Sequence, residues 1–306
     1  MMDMSEHDFA VNPISERLGV EVSPTAASAT GLPDLEFIAS QFKKHGVLLL
    51  RGFPFDKDAF VEFSRTVTPS FVNYSGGAYA RESIDGDSTV LSVTGRRQFF
   101  AVPLHGEMFY TTVRPTVLWF YCEQPPVDRG ETTVCDGIQL YERLGSATRR
   151  LFEEMRIKYV RRYPDGDWQK IYQTEDLAEV GRLCQERSTE FFLDESDGSV
   201  VTTFLTWAYS QDIYSRGRCF VNNILPVAVQ QARGNEHSKV FMEDDSAIPE
   251  IVLREIAGTA EDLTLNVAWK KGDVVMINNT RCMHGRRLFE DSQREIFVRM
   301  AADIFS

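Results

Sequence analysis

Histidine is scarce in this chain of 306 residues, with five at positions 7, 45, 105, 237 and 284. Cysteine is equally thin: Cys122, Cys135, Cys184, Cys219 and Cys282 are odd in number, scattered and without a CxxC pair. That pattern indicates neither a disulfide framework nor a zinc knuckle. Basic charge is short too, with 33 Lys and Arg against 45 Asp and Glu and a net charge of −12. Such a balance argues against a nucleic-acid partner or an anionic membrane surface. The longest apolar runs, such as Val47–Leu50, are far below the length needed to span a bilayer. The first residues, MMDMSEHDFAVNP, lack a basic stretch followed by an apolar run, so no signal peptide is expected there and a reducing cytoplasm is the expected compartment.

What the chain does have is material for a core, with 43% hydrophobic and 11% aromatic residues. Residues 1–30 are polar and rich in Ser, Ala and Thr, and are expected to form an arm with little core of its own. Helical spacing of Leu35, Ile38, Ala39 and Phe42 predicts a helix over 32–45 stopped at Gly46, and a second pattern follows the Asp56 cap to Val67. Val47–Phe53 reads as a buried strand. From 88 to 133 the texture becomes short β-rich runs at 89–93, 99–104, 116–122 and 131–134. Helices are expected at 138–155, 167–185 and 248–258, with strands at 190–193 and 200–207. The chain turns β-rich again at 263–269, 273–277 and 294–304. Two β-rich blocks thus bracket a mixed insert, about 138–262, long enough to cover a core and supply a lid and pocket walls. With no linker on either side of the insert, residues 31–306 are expected to be one domain.

Two histidines sit beside β-rich runs. His105-Gly-Glu107 places an imidazole and a carboxylate two residues apart, on one face if the segment is extended, and Gly106 removes the intervening side chain. With a distant His284 this would complete a two-histidine, one-carboxylate set that holds Fe(II) on one side and leaves other positions open. An H-x-E tripeptide alone is more often a surface salt-bridge partner. Here Val102-Pro-Leu precedes it and Met-Phe-Tyr110 follows, so Glu107 would be partly buried and would need a positive partner.

Four blocks, in order along the chain, resemble the TauD/TfdA group of Fe(II)/2-oxoglutarate dioxygenases within the clavaminate synthase-like superfamily. They are Tyr74-Ser-Gly-Gly-Ala-Tyr-Ala-Arg81; Leu104-His-Gly-Glu-Met108; Trp119 to Pro126 with Gly130-Glu-Thr132; and Trp269 to Asn279 followed by Met283-His-Gly-Arg286 and Arg294. The resemblance implies an α+β fold with a mainly β core, a double-stranded β-helix of jelly-roll or cupin type with flanking helices and a large insertion. It implies His105, Glu107 and His284 as iron ligands and Thr132 with a downstream arginine on the distal carboxylate of 2-oxoglutarate, with O₂ as the second co-substrate. The family usually places that arginine at Arg294. Arg299, deeper in the strand IFVRMAA, also needs a partner, and strand alternation sets the two on opposite faces.

Tyr74, Tyr79, Arg81, Tyr110, Arg281 and Arg286 are candidates to line the substrate pocket, with core packing or turn salt bridges as the alternative for each. The intact Glu107 favours oxygenation over the halogenation of relatives that carry a small residue there. The implied reaction converts 2-oxoglutarate to succinate and CO₂ while hydroxylating an unactivated C–H bond, although desaturation or oxidative cyclisation needs the same ligands. The HGEM and MHGR blocks look most like members of natural-product (antibiotic-type) pathways, so the expected substrate is a small amino-acid-like metabolite, free or carrier-bound. A zinc hydrolase or a non-catalytic binding barrel are the alternatives of another class, and neither accounts for Thr132 and the downstream arginine.

Overall fold

The computed structural model describes residues 9–25, 31–72, 83–84, 86–93, 100–290 and 293–304. The first part of the chain runs β1 (Phe9–Pro13), β2 (Val20–Pro24), α1 (Leu35–His45), β3 (Val47–Leu50), α2 (Lys57–Val67), β4 (Ser83–Ile84), β5 (Asp87–Ser92), β6 (Val102–His105), β7 (Val117–Gln124) and β8 (Thr132–Asp136). The insert holds α3 (Gly137–Arg143), α4 (Ser146–Glu154), β9 (Ile157–Tyr163), α5 (Trp168–Tyr172), α6 (Leu177–Glu186), β10 (Glu190–Asp194), β11 (Ser199–Thr206), β12 (Ser210–Gln211), β13 (Arg218–Cys219), α7 (Ile224–Ala232), β14 (Ser238–Met242) and α8 (Glu250–Asp262). The chain then returns through β15 (Leu265–Val267), β16 (Val274–Asn278), β17 (Cys282–Arg286) and β18 (Glu295–Ala301).

An eight-stranded sheet has the order β1-β2-β3-β16-β7-β18-β5-β4, and a four-stranded sheet the order β15-β8-β17-β6. Strand alternation gives the large sheet two apolar faces. Leu49, Leu118, Phe120, Val275, Ile277, Val298 and Met300 belong to one buried cluster with Val134 and Cys282 on the facing side of the small sheet. Leu48, Leu50, Trp119, Tyr121, Val274 and Met276 pack instead under Ile38 and Phe42 of α1 and Phe60, Phe63 and Val67 of α2. The two sheets face each other as the halves of a jelly roll, with helices on the outer face of the larger one. α2 starts at its expected Asp56 cap, whereas α1 starts at Leu35, three residues later than expected; the Asp34 and Asp56 carboxylates accept the N–H groups of Phe37 and Ala59.

Three expectations change. Residues 9–24 are not an arm without a core: β2 pairs in parallel with β3, and Phe9, Leu18, Val20 and Val22 are buried. Apolar residues alternating two positions apart, Phe9 and Val11 in one strand and Val20 and Val22 in the other, were enough to make a strand pair amid polar neighbours. The helix expected over 138–155 is two helices, broken at Leu144–Gly145, and that over 167–185 breaks after Tyr172, where Gln173 turns left-handed and Asp176 caps a new start. The insert also builds its own sheet, β10-β11-β9-β14. One of its two inner strands, Ile157–Tyr163, alternates buried and half-buried, but Arg161 occupies a buried position and hides the pattern in the sequence. Among the described residues no helix is long and apolar enough to cross a membrane.

Candidate metal centre and co-substrate cleft

The small sheet brings the distant histidines together through register alone. On β17, His284 pairs with His105 of β6 on one side and Val134 of β8 on the other, while Arg286, two residues on, pairs with Thr132. His105, His284, Thr132 and Arg286 therefore share the face that looks into the jelly roll. Glu107 lies just past the end of β6, in a turn rather than on the strand, yet reaches the same point. One ligand atom from each of His105, Glu107 and His284 lies within 4.8 Å of the others. The imidazole centroids are 4.3 Å apart, and His284 Nε2 is 3.7 Å from Glu107 Oε2. Gly106 is required by packing: a Cβ there would stand 2.4 Å from Phe109 Cδ2 and 2.7 Å from Val221 Cγ1.

This donor set suits a divalent cation. His105 Nδ1 lies 2.9 Å from the Pro103 carbonyl, which can only accept, so Nδ1 carries the proton and Nε2 keeps the lone pair a metal needs. The Glu107 side chain is buried beside the two imidazoles, and a cation between the three groups would compensate that burial well.

A cleft of about 460 Å³, measured out to its open mouth, reaches the cluster and is lined by Val93, Val102, His105, Glu107, Phe120, Thr132, His284, Gly285, Arg286 and Arg294. Thr132 Oγ1 accepts a hydrogen bond from the Trp269 indole at 3.1 Å, which leaves its own proton to donate. Arg294 stands immediately before β18 and its Nε donates to the Gly130 carbonyl at 2.9 Å. Gly130, at φ +73°, leaves room for that crossing, since a Cβ would meet Phe289 Cβ at 2.9 Å and Arg294 Cδ at 3.3 Å. Burial first, and then the neighbouring Arg286 cation, pull the Arg294 guanidinium down to about 9. An arriving dianion would relieve both effects. Arg286 donates to the Val93 and Phe100 carbonyls at 3.3 and 3.0 Å and lies over the Phe289 ring.

Of the other expected residues, Arg299 does not reach the cleft. It pairs with Trp119 on the helix-covered face of the large sheet, where it donates to Val61 O, Ser64 Oγ and Thr89 Oγ1 and lies 3.5 Å from the Phe71 centroid. Arg281 is spent on Asp136, at 2.6 and 3.2 Å, tying the start of β17 to the end of β8. Tyr110 is buried under the Arg161 guanidinium and does not line the cleft. Tyr74, Tyr79 and Arg81 lie outside the described residues. Two contributors escaped the sequence reading. Phe120, whose ring is 5.7 Å from that of His284, belongs to the opposite sheet, and only the sheet packing reveals it. Trp269 was visible in its block, and a buried indole N–H seeks an acceptor, but which acceptor depends on the β15–β8 register.

The model of the taurine catabolism dioxygenase TauD, TfdA family matches residues 10–301. A clavaminate synthase-like protein of Arabidopsis thaliana is 27% identical over 277 residues, covering 84% of this chain and 82% of that one. The dapdiamide synthesis protein DdaC of Enterobacter agglomerans is 25% identical over 325 aligned positions, covering 98% and 96%. Among solved structures, PvcB of Pseudomonas aeruginosa superimposes with a TM-score of 0.61 at 14% identity, covering 100% of this chain and 98% of that one. A further PvcB structure is described as an Fe, alpha-ketoglutarate dependent oxygenase from an isonitrile synthetic pathway.

Proposed function

The chain belongs to the TauD, TfdA family of Fe(II)/2-oxoglutarate-dependent dioxygenases, and from that premise we propose that it hydroxylates an unactivated C–H bond of a small amino-acid-like metabolite in a biosynthetic pathway. The observation that carries the reading is the convergence of His105, Glu107 and His284 with Thr132 and Arg294 on one cleft. The two imidazoles and the carboxylate would hold Fe(II), and the Thr132 hydroxyl and Arg294 guanidinium would grip the distal carboxylate of 2-oxoglutarate. Iron held there with 2-oxoglutarate and O₂ would supply the oxidising chemistry needed for an unactivated C–H bond, at the expense of 2-oxoglutarate, which would become succinate and CO₂.

The protein's own work is placement. The His105 Nδ1 bond to Pro103 fixes one ring, and the β17 register fixes the other. Phe120 and Val102 wall the cleft with apolar surface that keeps water from the reacting centre. Charge favours a substrate with one carboxylate. A metal dication with Arg286 and Arg294 outweighs Glu107 and a dianionic co-substrate by one positive charge among the described lining residues. Arg286, which lines the cleft beside Arg294, would face it. DdaC and PvcB, both named for biosynthetic roles, support the pathway assignment.

Amino acids and their carboxamides, screened anaerobically loaded and then aerated, test the reading by succinate release. A free amino acid should stimulate release, its carboxamide should do so far less, and the product should be heavier by one oxygen atom. A product lighter by two hydrogens would replace hydroxylation by desaturation or cyclisation. Equal stimulation by acid and amide would refute the carboxylate assignment.

A further inference from the structure

Asn279 lies in the turn between β16 and β17 and is fully buried, and it is not itself among the residues that line the cleft. Its side chain reaches across to the segment that carries the Glu107 carboxylate. Oδ1 accepts the Glu107 N–H at 2.8 Å, while Nδ2 donates to the Glu107 carbonyl at 3.1 Å and to the Pro115 carbonyl at 2.7 Å. The amide orientation is fixed by chemistry, since the Glu107 N–H can only donate and the two carbonyls can only accept. One side chain thus engages both main-chain groups of a single residue, as a neighbouring β-strand would. The chain needs such a tether here. It has left β6, and at Met108 a buried non-glycine residue turns with φ +60°, a conformation that costs of order 1–2 kcal/mol and persists only when its surroundings impose it.

We infer that Asn279 is a positioning residue for the metal centre: it locks the Glu107 backbone to the β16–β17 turn, so that the carboxylate and His284 are held from a common support. Asn279 stands five residues before His284, and its own N–H donates to the Thr116 carbonyl on the β7 side, so the tether joins the turn, the Glu107 segment and the large sheet. The inference rests on the metal-site reading above and can fail independently of it.

Asn278 supplies a control. It is as buried as Asn279 and as fully bonded, with Nδ2 donating to Asp212 and Oδ1 accepting from the Thr280 N–H and hydroxyl, but none of its bonds reaches the Glu107 segment. Co(II) titration of the metal-free protein, followed through its visible d–d bands, reads both affinity and ligand geometry without turnover. Asn279→Ala should weaken Co(II) binding by about tenfold or more, the range seen when outer-shell partners of ligands are lost, and should alter the bands. Asn278→Ala should lower the melting temperature but keep affinity and bands. If Asn279→Ala does not fold, Asn279→Asp, which keeps the acceptor and loses both donors, takes its place with the same expectation. Wild-type affinity and bands in the folded Asn279 variant, or equal losses at Asn278, would overturn the inference. Failure of the wild-type protein to bind Co(II) would instead overturn the metal-site reading.

Discussion

The two sheets of the jelly roll handle buried cations in opposite ways. In the large sheet, Arg299 is surrounded by acceptors from α2 and β5: a carbonyl, two hydroxyls and, at 4.0 Å, the Asp87 carboxylate. Burial still pulls it down to about 10, but every contact belongs to the fold. Between the sheets, Arg286 of β17 and Arg294 before β18 line an open cleft that ends at two imidazoles and a carboxylate. A buried guanidinium held beside a second cation is a poor way to stabilise a protein and a good way to receive an anion. The difference separates a structural arginine from a binding one more sharply than their spacing after His284 does.

The largest way to break that contrast is to remove a ligand. His284→Ala should abolish metal binding and cut succinate formation by at least about a hundredfold, beyond the loss caused by outer-shell changes, as measured by Co(II) titration and by turnover. Crossing the two arginines should come next. Arg294→Ala should raise the KM for 2-oxoglutarate roughly tenfold to a hundredfold, the worth of a charge-assisted pair, with a melting temperature close to that of the wild type. Arg299→Ala should leave that KM unchanged and cost about 1–3 kcal/mol of stability, read from the urea midpoint. The reverse outcome would exchange their roles. Gly106→Ala forces a methyl into Phe109 and Val221 and should cost about 1–3 kcal/mol while weakening metal binding. Smallest of all, Trp269→Phe removes the bond that orients Thr132 and should raise the KM for 2-oxoglutarate by roughly threefold to tenfold, leaving Co(II) affinity intact.

The ligand residues were legible because each carries chemistry that an apolar neighbourhood makes expensive: Glu107 between Val102-Pro-Leu and Met-Phe-Tyr, His284 after a buried strand. Strands β3, β5, β7, β16 and β18 of the large sheet were legible as short apolar runs, and the start of α2 as an Asp cap, whereas β1 and β2 were not. What stayed hidden depends on register and packing. Arg294 and Arg299 look alike in sequence, and only the side of β18 that α2 covers assigns Arg299 to the fold. Arg281 looks like a site residue two positions from Met283, yet Asp136 claims it through the β8–β17 pairing. Asn279 looks like a turn residue, and its role follows only from a bond spanning 172 positions of sequence. Strand β9 was obscured because a buried arginine occupies one of its apolar positions.

The most direct test of the metal and co-substrate site is the visible spectrum of the protein under strictly anaerobic conditions with Fe(II) and 2-oxoglutarate. A weak metal-to-ligand charge-transfer band should grow with 2-oxoglutarate in the wild type, require higher concentrations in Arg294→Ala, and be absent in His284→Ala. No band in the folded wild-type protein at saturating Fe(II) and 2-oxoglutarate would contradict the assignment of His105, Glu107 and His284 as the centre that holds both.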